Sequence, residues 1–447
     1  LISLVVGAVA IRVFFAFLIR FFFGDILPFQ LWGFDTECYG DFNSYYSYWI
    51  PGLWKGTWYP YMSSEGPESS LIYTTINLPW GEWVLSFGQG VAANYYFMTP
   101  VFLYFLLPFG YPLFPPQLLA IPLILTDSLT IIPLYLTIKE LGKDDRLALY
   151  GSILYLLSPL NIFYLGVVWL STGPIIFLFV WSIYFLVRKE YQAANLCFAL
   201  TIMTKQIVLF FMLPFYIIVF LQCGWKAAGK RFGEFSLVCF LLSLPYILLT
   251  PVDYILHVWG PQPLPALQGN TELPDNRIAV NLQHTALALN LDTFLGGTFF
   301  QFFAILFNTY ILLILAIFFV SGILIYYYKT DNLTNLNISY VFCLYGFTFH
   351  LFFVRGIYKY FLPLLIPLFI ITLIFPVHNF LEKKSQDQNR NTIKIQKIIL
   401  PIVLGLVFIV LGVIYVIISR VLGHLLLFLL TLFVSSVILG RILEQTF

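Results

Sequence analysis

Long apolar runs separated by short polar turns organise almost the whole chain. They cover residues 1–22, 115–138, 147–165, 170–187, 190–204, 206–222, 233–250, 300–328, 338–354, 358–376, 397–419 and 422–440. Most reach the length of roughly 17–25 residues that a helix needs to cross the hydrocarbon core of a bilayer. Alternating short strands of the outer-membrane-barrel kind are absent from the pattern. The expected fold class is therefore all-α, a polytopic helical membrane protein with about twelve transmembrane helices. A further apolar segment, Tyr95 to Phe109, reads as a helix lying in the interface. Were it a crossing, the turn containing Lys139, Lys143 and Arg146 would move to the opposite side from the other basic turns.

With that choice the basic residues separate cleanly. Fifteen fall on one side: Lys139, Lys143, Arg146, Arg188, Lys189, Lys226, Lys230, Arg231, Lys329, Lys383, Lys384, Arg390, Lys394, Lys397 and Arg441. Six fall on the other, Lys55, Lys205, Arg277, Arg355, Lys359 and Arg420, while Arg12 and Arg20 lie within the first run. The positive-inside rule then places both termini in the cytoplasm and the two long loops, 24–114 and 251–298, outside. Residues 377–396, polar and rich in Asn, Gln and Lys, read as a cytoplasmic linker to a C-terminal transmembrane hairpin over 397–447, which looks peripheral to function. The opening run contains Arg12 and Arg20 and no small-residue cleavage site follows it, so a cleaved signal peptide is not expected.

Composition agrees. The 447 residues are 60% hydrophobic and 10% charged, with a mean hydropathy of +0.89, against about 25% charged residues in soluble domains. A net charge of +2 with scattered basic residues points away from nucleic acid as a partner. The five cysteines are far apart and form no CxxC or Cys/His pairing, so neither a metal centre nor a disulfide framework is expected. Two long loops on one face, with no internal repeat, suit an enzyme or receptor surface better than a transporter built of matching halves.

The first outer loop is the chemically richest stretch. Between residues 24 and 94 seven acidic side chains, Asp25, Asp35, Glu37, Asp41, Glu65, Glu68 and Glu82, face one lysine, Lys55. Asp41, Tyr45 and Tyr48 share a face if a short interfacial helix opens after Gly40. Asp41 there serves either as an N-cap or as a general base at the water–lipid boundary. Trp49, Trp54, Trp58, Trp80 and Trp83 can stack on sugar faces or anchor in the headgroup belt. The second loop has five prolines between 251 and 274 together with His257, Trp259 and His284. It reads as a structured lid, with the two histidines as candidates to line an acceptor pocket. Lys205 joins two short apolar helices, where a membrane-embedded ammonium is functional by default. Asp127, inside a run, is expected to pair with a neighbouring helix and so orient the first loop. His350 and His424 read as packing or interhelical hydrogen-bonding residues.

The lone Asp41, an aromatic four residues on, Gly52 and then Pro60-Tyr61 resemble the first external loop of the GT-C superfamily of glycosyltransferases, which use polyprenyl-phosphate sugar donors. Tyr95 to Pro100, the apolar run to Phe109 and the span with Asp127 look like the matching stretch of the GPI first mannosyltransferases and their bacterial relatives. Ser158-Pro159-Leu160-Asn161 resembles that superfamily's Pro motif, and Met203 to Val208 resembles the Lys-containing turn of the glucosyltransferases that extend lipid-linked oligosaccharides. The likeness covers residues 1–376 in order and spacing. It departs after the Pro motif, where Gly166 to Thr172 has no carboxylate, and the Trp-Trp-Asp signature of oligosaccharyltransferases is absent.

The resemblance implies a GT-C catalytic domain over 1–376 with interfacial helices in its first loop. The implied activity is inverting transfer of a hexose, mannose or glucose, from a polyprenyl-phosphate donor to a hydroxyl on a lipid or glycan acceptor. The reaction would take place at the external or lumenal leaflet of a cell membrane or the endoplasmic reticulum. Asp41 ranks first as the base, Glu37 second and Asp35 third, because many members carry a paired acidic motif in this loop. Lys205, Arg355, Tyr358 and Lys359 are the implied lipid-phosphate ligands, and Tyr45, Trp58, His257 and His284 the acceptor or sugar contacts. No cofactor is implied; a divalent metal is compatible but not required, since the leaving group is a lipid monophosphate. The competing expectation is a lipid-linked-sugar transporter, flippase or non-catalytic subunit on the same scaffold.

Overall fold

The structure, a computed structural model, describes residues 1–19, 45, 50–54, 71–78, 81–88, 99–111, 114, 116–249, 251–255, 258, 277–278, 309–352, 357–386, 405–414 and 429–440. The architecture is helical throughout its body. In chain order the principal helices are α1 (Ile2–Phe17), α2 (Val101–Leu106), α3 (Ala120–Leu129), α4 (Ile131–Gly142), α5 (Asp145–Leu156), α6 (Thr172–Val187), α7 (Tyr191–Thr204) and α8 (Met212–Cys223). They continue with α9 (Trp225–Leu249), α10 (Thr309–Lys329), α11 (Asn335–Phe352), α12 (Ile366–Gln386), α13 (Gly405–Ile414) and α14 (Leu429–Gly440). Among the described residues three helices are long and apolar enough to cross a membrane: 120–142, which runs through Thr130 as one stretch, 206–223 and 225–249. A fourth forms if the pair 145–156 and 159–167, bent by 42°, is one span.

Each turn between these helices has a local cause. Lys143 ends α4 in the left-handed region at φ 52°, and Asp144 then caps α5 by accepting from the Arg146 N–H at 2.8 Å. Pro159 has no N–H to continue α5, so the span bends there. Ser158 opens the next turn, its hydroxyl donating to Asn161 Oδ1 at 2.8 Å. A π-helical turn, Ile162–Val167, follows.

Basic residues lie in or next to the polar turns at 142–145, 187–191, 223–225 and 329–335: Lys143 and Arg146, Arg188 and Lys189, Lys226, and Lys329. Asn335 ties two of these turns together by donating to the Val187 carbonyl at 2.7 Å. From the turn at 187–191, α7 runs 14 residues, about 20 Å, so its far end lies well away from the basic turns.

Three features differ from the sequence reading. A β-hairpin joins β1 (Leu71–Leu78) to β2 (Gly81–Gly88) in antiparallel register, Leu71 opposite Gly88 and Leu78 opposite Gly81, so the first outer loop is not wholly helical. A second small pairing sets β3 (Arg277–Ile278) against β4 (Ile357–Tyr358). The polar linker expected from residue 377 instead begins as a continuation of α12 to Gln386, where Leu, Glu and Lys favour helix.

The C-terminal segment packs on the body of the bundle. A methyl group on Gly412 would lie 2.8 Å from Pro159 Cδ, so α13 packs directly on the bend. Between them sits an apolar cavity of about 270 Å³ that includes Ser158, Leu362, Phe408 and Phe433 in its wall.

Of the expected interfacial segment 95–109, the described residues from Thr99 on form a six-residue helix, α2, followed by a short 3-10 turn, Leu107–Phe109. Together they reach only about 15 Å, half of a bilayer core. Phe102, Leu103 and Leu106 bury a second apolar cluster with Tyr45, Ile50, Leu53, Leu123, Trp169, Tyr246, Tyr254 and Val258. That cluster gathers the ends of both long loops onto the same end of the bundle.

Candidate functional site at the Lys205 helix break

The site begins where α7 stops. Thr201 and Thr204 turn their hydroxyls back to the carbonyls of Cys197 and Leu200, both at 2.7 Å, a habit that loosens helix continuation. Lys205 follows in an extended conformation, φ −158° and ψ 129°, and a 3-10 segment, Gln206–Phe211, leads into α8. Lys205 is 6% exposed. Its Nζ donates to Ser171 Oγ at 3.4 Å and lies 4.8 Å from the centre of the Phe361 ring, a cation–π distance.

Ser171 is the residue before α6. The helix N-terminus, with N–H groups on Thr172 and Gly173 but none on Pro174, therefore starts next to the serine that the buried ammonium contacts, and a helix N-terminus and an ammonium both favour an anion. Two residues before Ser171, Trp169 is held at φ 64°, a strained setting for a bulky side chain. Phe361 belongs to the 3-10 segment Lys359–Leu365, which follows β4 directly.

Both outer loops reach this place. Gln206 Nε2 donates to the Val258 carbonyl at 3.4 Å, and Thr99 Oγ1 donates to the Ile202 carbonyl at 2.8 Å. Tyr104, Tyr246 and Tyr254 stack in sequence with ring centres 6.1 Å apart at each step, linking α2 to the start of the second loop. Trp54 donates to the Leu107 carbonyl at 3.0 Å.

A second polar cluster lies on the other side of the α6 start. Arg12 and Asp127 are both fully buried and form an ion pair through Nε and Oδ2. Tyr155 donates to Asp127 Oδ1 at 2.5 Å, and Asn161 Nδ2 approaches the same oxygen at 3.4 Å. Arg12 Nη1 donates to the Ala8 carbonyl at 3.2 Å, and its guanidinium carbon sits 5.9 Å from the Tyr155 ring centre. A methyl group on Gly173 would be 2.8 Å from the Leu123 carbonyl oxygen and 3.4 Å from Asp127 Cβ. The α6 start that carries Ser171 therefore rests directly on the helix that carries Asp127.

An apolar groove of about 810 Å³ begins four residues beyond Lys205. Leu209, Leu213, Tyr216, Phe220, Phe232 and Ile317 are among the residues that line it, where α8, α9 and α10 meet. Tyr216 also donates to Asn195 Oδ1 at 2.7 Å.

Among the residues expected at a site, Lys205 is buried as described. Tyr358 pairs in β4 with Arg277, and Lys359 opens the segment that brings Phe361 to Lys205; only their backbones are described. Tyr45 is fully buried, its ring edge-on to Phe102 at 5.0 Å. Asp41, Glu37, Asp35, Trp58, His257, His284 and Arg355 lie outside the described residues. Asp127 pairs with a neighbouring helix, as its charge required. The partner, Arg12, and the contribution of Ser171 were not singled out from sequence; an arginine inside an apolar run was the available signal. Among the described residues no cluster of three His, Cys, Asp or Glu side chains is placed to hold a metal.

Comparison with protein-family models, with curated proteins and with solved structures finds no match for this chain.

Proposed function

We propose that the chain is an integral membrane glycosyltransferase of the GT-C type. In this reading it transfers a hexose from a polyprenyl-phosphate donor to a hydroxyl of a lipid or glycan acceptor at the external or lumenal leaflet. The observation that carries the reading is the meeting, at one helix break, of a buried ammonium, the N-terminus of α6 and the ends of both long loops. Lys205 and the α6 N–H groups suit a phosphate leaving group in low dielectric, where such donors act strongly. The apolar groove that starts at Leu209 suits the isoprenoid chain of such a donor. The break also lies at the opposite end of α7 from the basic turns, which the positive-inside rule assigns to the cytoplasm.

In this mechanism a carboxylate of the first loop, Asp41 first and Glu37 or Asp35 after it, takes the proton of the acceptor hydroxyl. The resulting oxygen attacks the anomeric carbon, the glycosidic C–O bond breaks, and the electron pair leaves on the lipid phosphate. Lys205 stabilises that charge, joined by Arg355 and Lys359, with Tyr358 as a hydrogen-bond donor. The test is transfer from a polyprenyl-phosphate hexose by the purified protein and its Asp41→Asn variant. Transfer by the wild type, lost in Asp41→Asn with donor binding kept, supports the reading. Retained transfer in Asp41→Asn removes the base assignment, and donor binding without transfer by the wild type favours a lipid-linked-sugar transporter.

A further inference from the structure

The stretch from Gly166 to Gly173 brings Ser171 to Lys205, and its backbone is unusual. It leaves a π-helical turn, Ile162–Val167, and doubles back so that the Val168 and Leu170 N–H groups donate to the carbonyls of Phe163 and Tyr164 at 2.9 and 3.2 Å. Trp169, between them, is held at φ 64°. A bulky residue stays in that region only where its surroundings over-determine it.

Two glycines mark what constrains it. A methyl group on Gly166, at one end, would lie 2.9 Å from Arg12 Cγ, 3.0 Å from Arg12 Cβ and 3.3 Å from Arg12 Cα. A methyl group on Gly173, at the other end, would meet the Leu123 carbonyl oxygen at 2.8 Å and Asp127 Cβ at 3.4 Å. The stretch therefore rests on Arg12 of α1 at one end and on the Leu123–Asp127 turn of α3 at the other, and a buried ion pair joins Arg12 to Asp127. Stability alone is a poor reason for such a pair, since well-packed apolar side chains of similar volume often serve as well or better. Its cost is raised by Arg12 Nη2, a buried donor with no hydrogen-bond partner. What an arginine–carboxylate pair adds is geometric specificity, here a fixed approach of α1 to α3.

We infer that the Arg12–Asp127 pair is a clamp: by fixing α1 against α3 it sets the span from Gly166 to Gly173, and so the place of Ser171 Oγ beside the Lys205 ammonium. Arg12 and Asp127 are positioning residues, and Ser171 is their link to Lys205. The clamp rests on the lipid-phosphate reading of Lys205 and deepens it, because the aim of the ammonium then depends on a pair formed outside the site. Without the clamp Lys205 keeps its charge and loses the alignment that Ser171 gives it.

The experiment measures the affinity of folded full-length protein in nanodiscs for polyprenyl phosphate. It compares the wild type with Asp127→Asn, which removes the charge at one end of the clamp, and with Gly166→Ala, which presses on Arg12 at the other end and leaves both charges in place. Each is also made in a Ser171→Ala background. Asp127→Asn, Gly166→Ala and Ser171→Ala should each weaken binding roughly 3- to 10-fold, the effect of one hydrogen bond lost or misaligned. Adding Asp127→Asn or Gly166→Ala to Ser171→Ala should weaken it by less than about 2-fold more, because the link is already gone. A pair that serves the fold alone leaves the affinity of the folded variants at the wild-type level, or lowers it by the same factor with and without Ser171. Either result, or unchanged binding in Ser171→Ala, overturns the clamp and leaves the phosphate reading intact. If Asp127→Asn does not fold, Gly166→Ala with and without Ser171 decides by the same criteria. No binding by the wild type overturns both.

Discussion

Replacing Asp127 with Asn is expected to destabilise the membrane-embedded fold by about 3 kcal/mol. Asn keeps the size of the side chain and an acceptor for Tyr155, but leaves the Arg12 guanidinium fully buried beside a neutral group. An arginine without a counter-charge at the centre of a span costs about 2.5–3.5 kcal/mol on insertion scales. Breaking a buried ion pair on one side costs about 3–5 kcal/mol. Because Arg12 keeps its bond to the Ala8 carbonyl, the lower end applies, about a 150-fold change in the folding equilibrium. Arg12→Gln strands the carboxylate instead and should cost a similar amount, while the double variant leaves no charge and should recover about 2 kcal/mol of the combined loss. Unfolding in mixed micelles across the four proteins of the cycle measures the coupling. Losses that add within about 0.5 kcal/mol would show that the two charges do not depend on each other, and the reading of this cluster would fail.

Three further outcomes are expected. Gly412→Leu pushes a branched side chain into Pro159, already 2.8 Å from a methyl at that position. It should cost about 1–3 kcal/mol in the same unfolding assay; an unaffected protein would mean that α13 does not rest on the bend. Gly173→Val places its Cβ against the Leu123 carbonyl oxygen at 2.8 Å, displacing the α6 start and Ser171. Donor binding should fall with stability, whereas binding at the wild-type level would separate Ser171 from the site. In a single-cysteine protein that keeps only Cys223, an exposed thiol at the turn beside Trp225, Lys226 and Lys230, a membrane-impermeant maleimide should react only from the cytoplasmic side. Labelling of that protein from outside would invert the topology.

The helical body was legible in the sequence because apolar runs punctuated by charged turns leave few alternatives. The break at Lys205 was legible for a sharper reason, since a single ammonium between two apolar runs has few structural uses. Ser158-Pro159 read as a motif at a span end, and the structure shows a bend of 42° there. Other features stayed hidden because they depend on distant partners. Arg12 and Asp127 lie 115 residues apart, and nothing local to either names the other. The first turns of α9 read as a polar loop, yet Lys and Ala there favour helix, and Phe232 and Phe235 pack on the Tyr216 ring at 5.6 and 6.3 Å. The hairpin at 71–88 had a readable signal, the β-branched and aromatic run Leu71 to Leu78 ahead of Pro79. The acidic count of the surrounding loop drew the reading elsewhere.

The most direct measurement is hexose transfer from a radiolabelled polyprenyl-phosphate donor in proteoliposomes, comparing wild type, Lys205→Arg and Lys205→Met. Met fills the same space without charge, so a correctly folded Lys205→Met protein should lose transfer by at least about 100-fold, the scale of one lost charged hydrogen-bond donor at a developing anion. Lys205→Arg should retain part of the activity. Wild-type rates in the folded Met variant would show that the buried ammonium serves packing alone, and a lipid-phosphate site at this helix break would be contradicted.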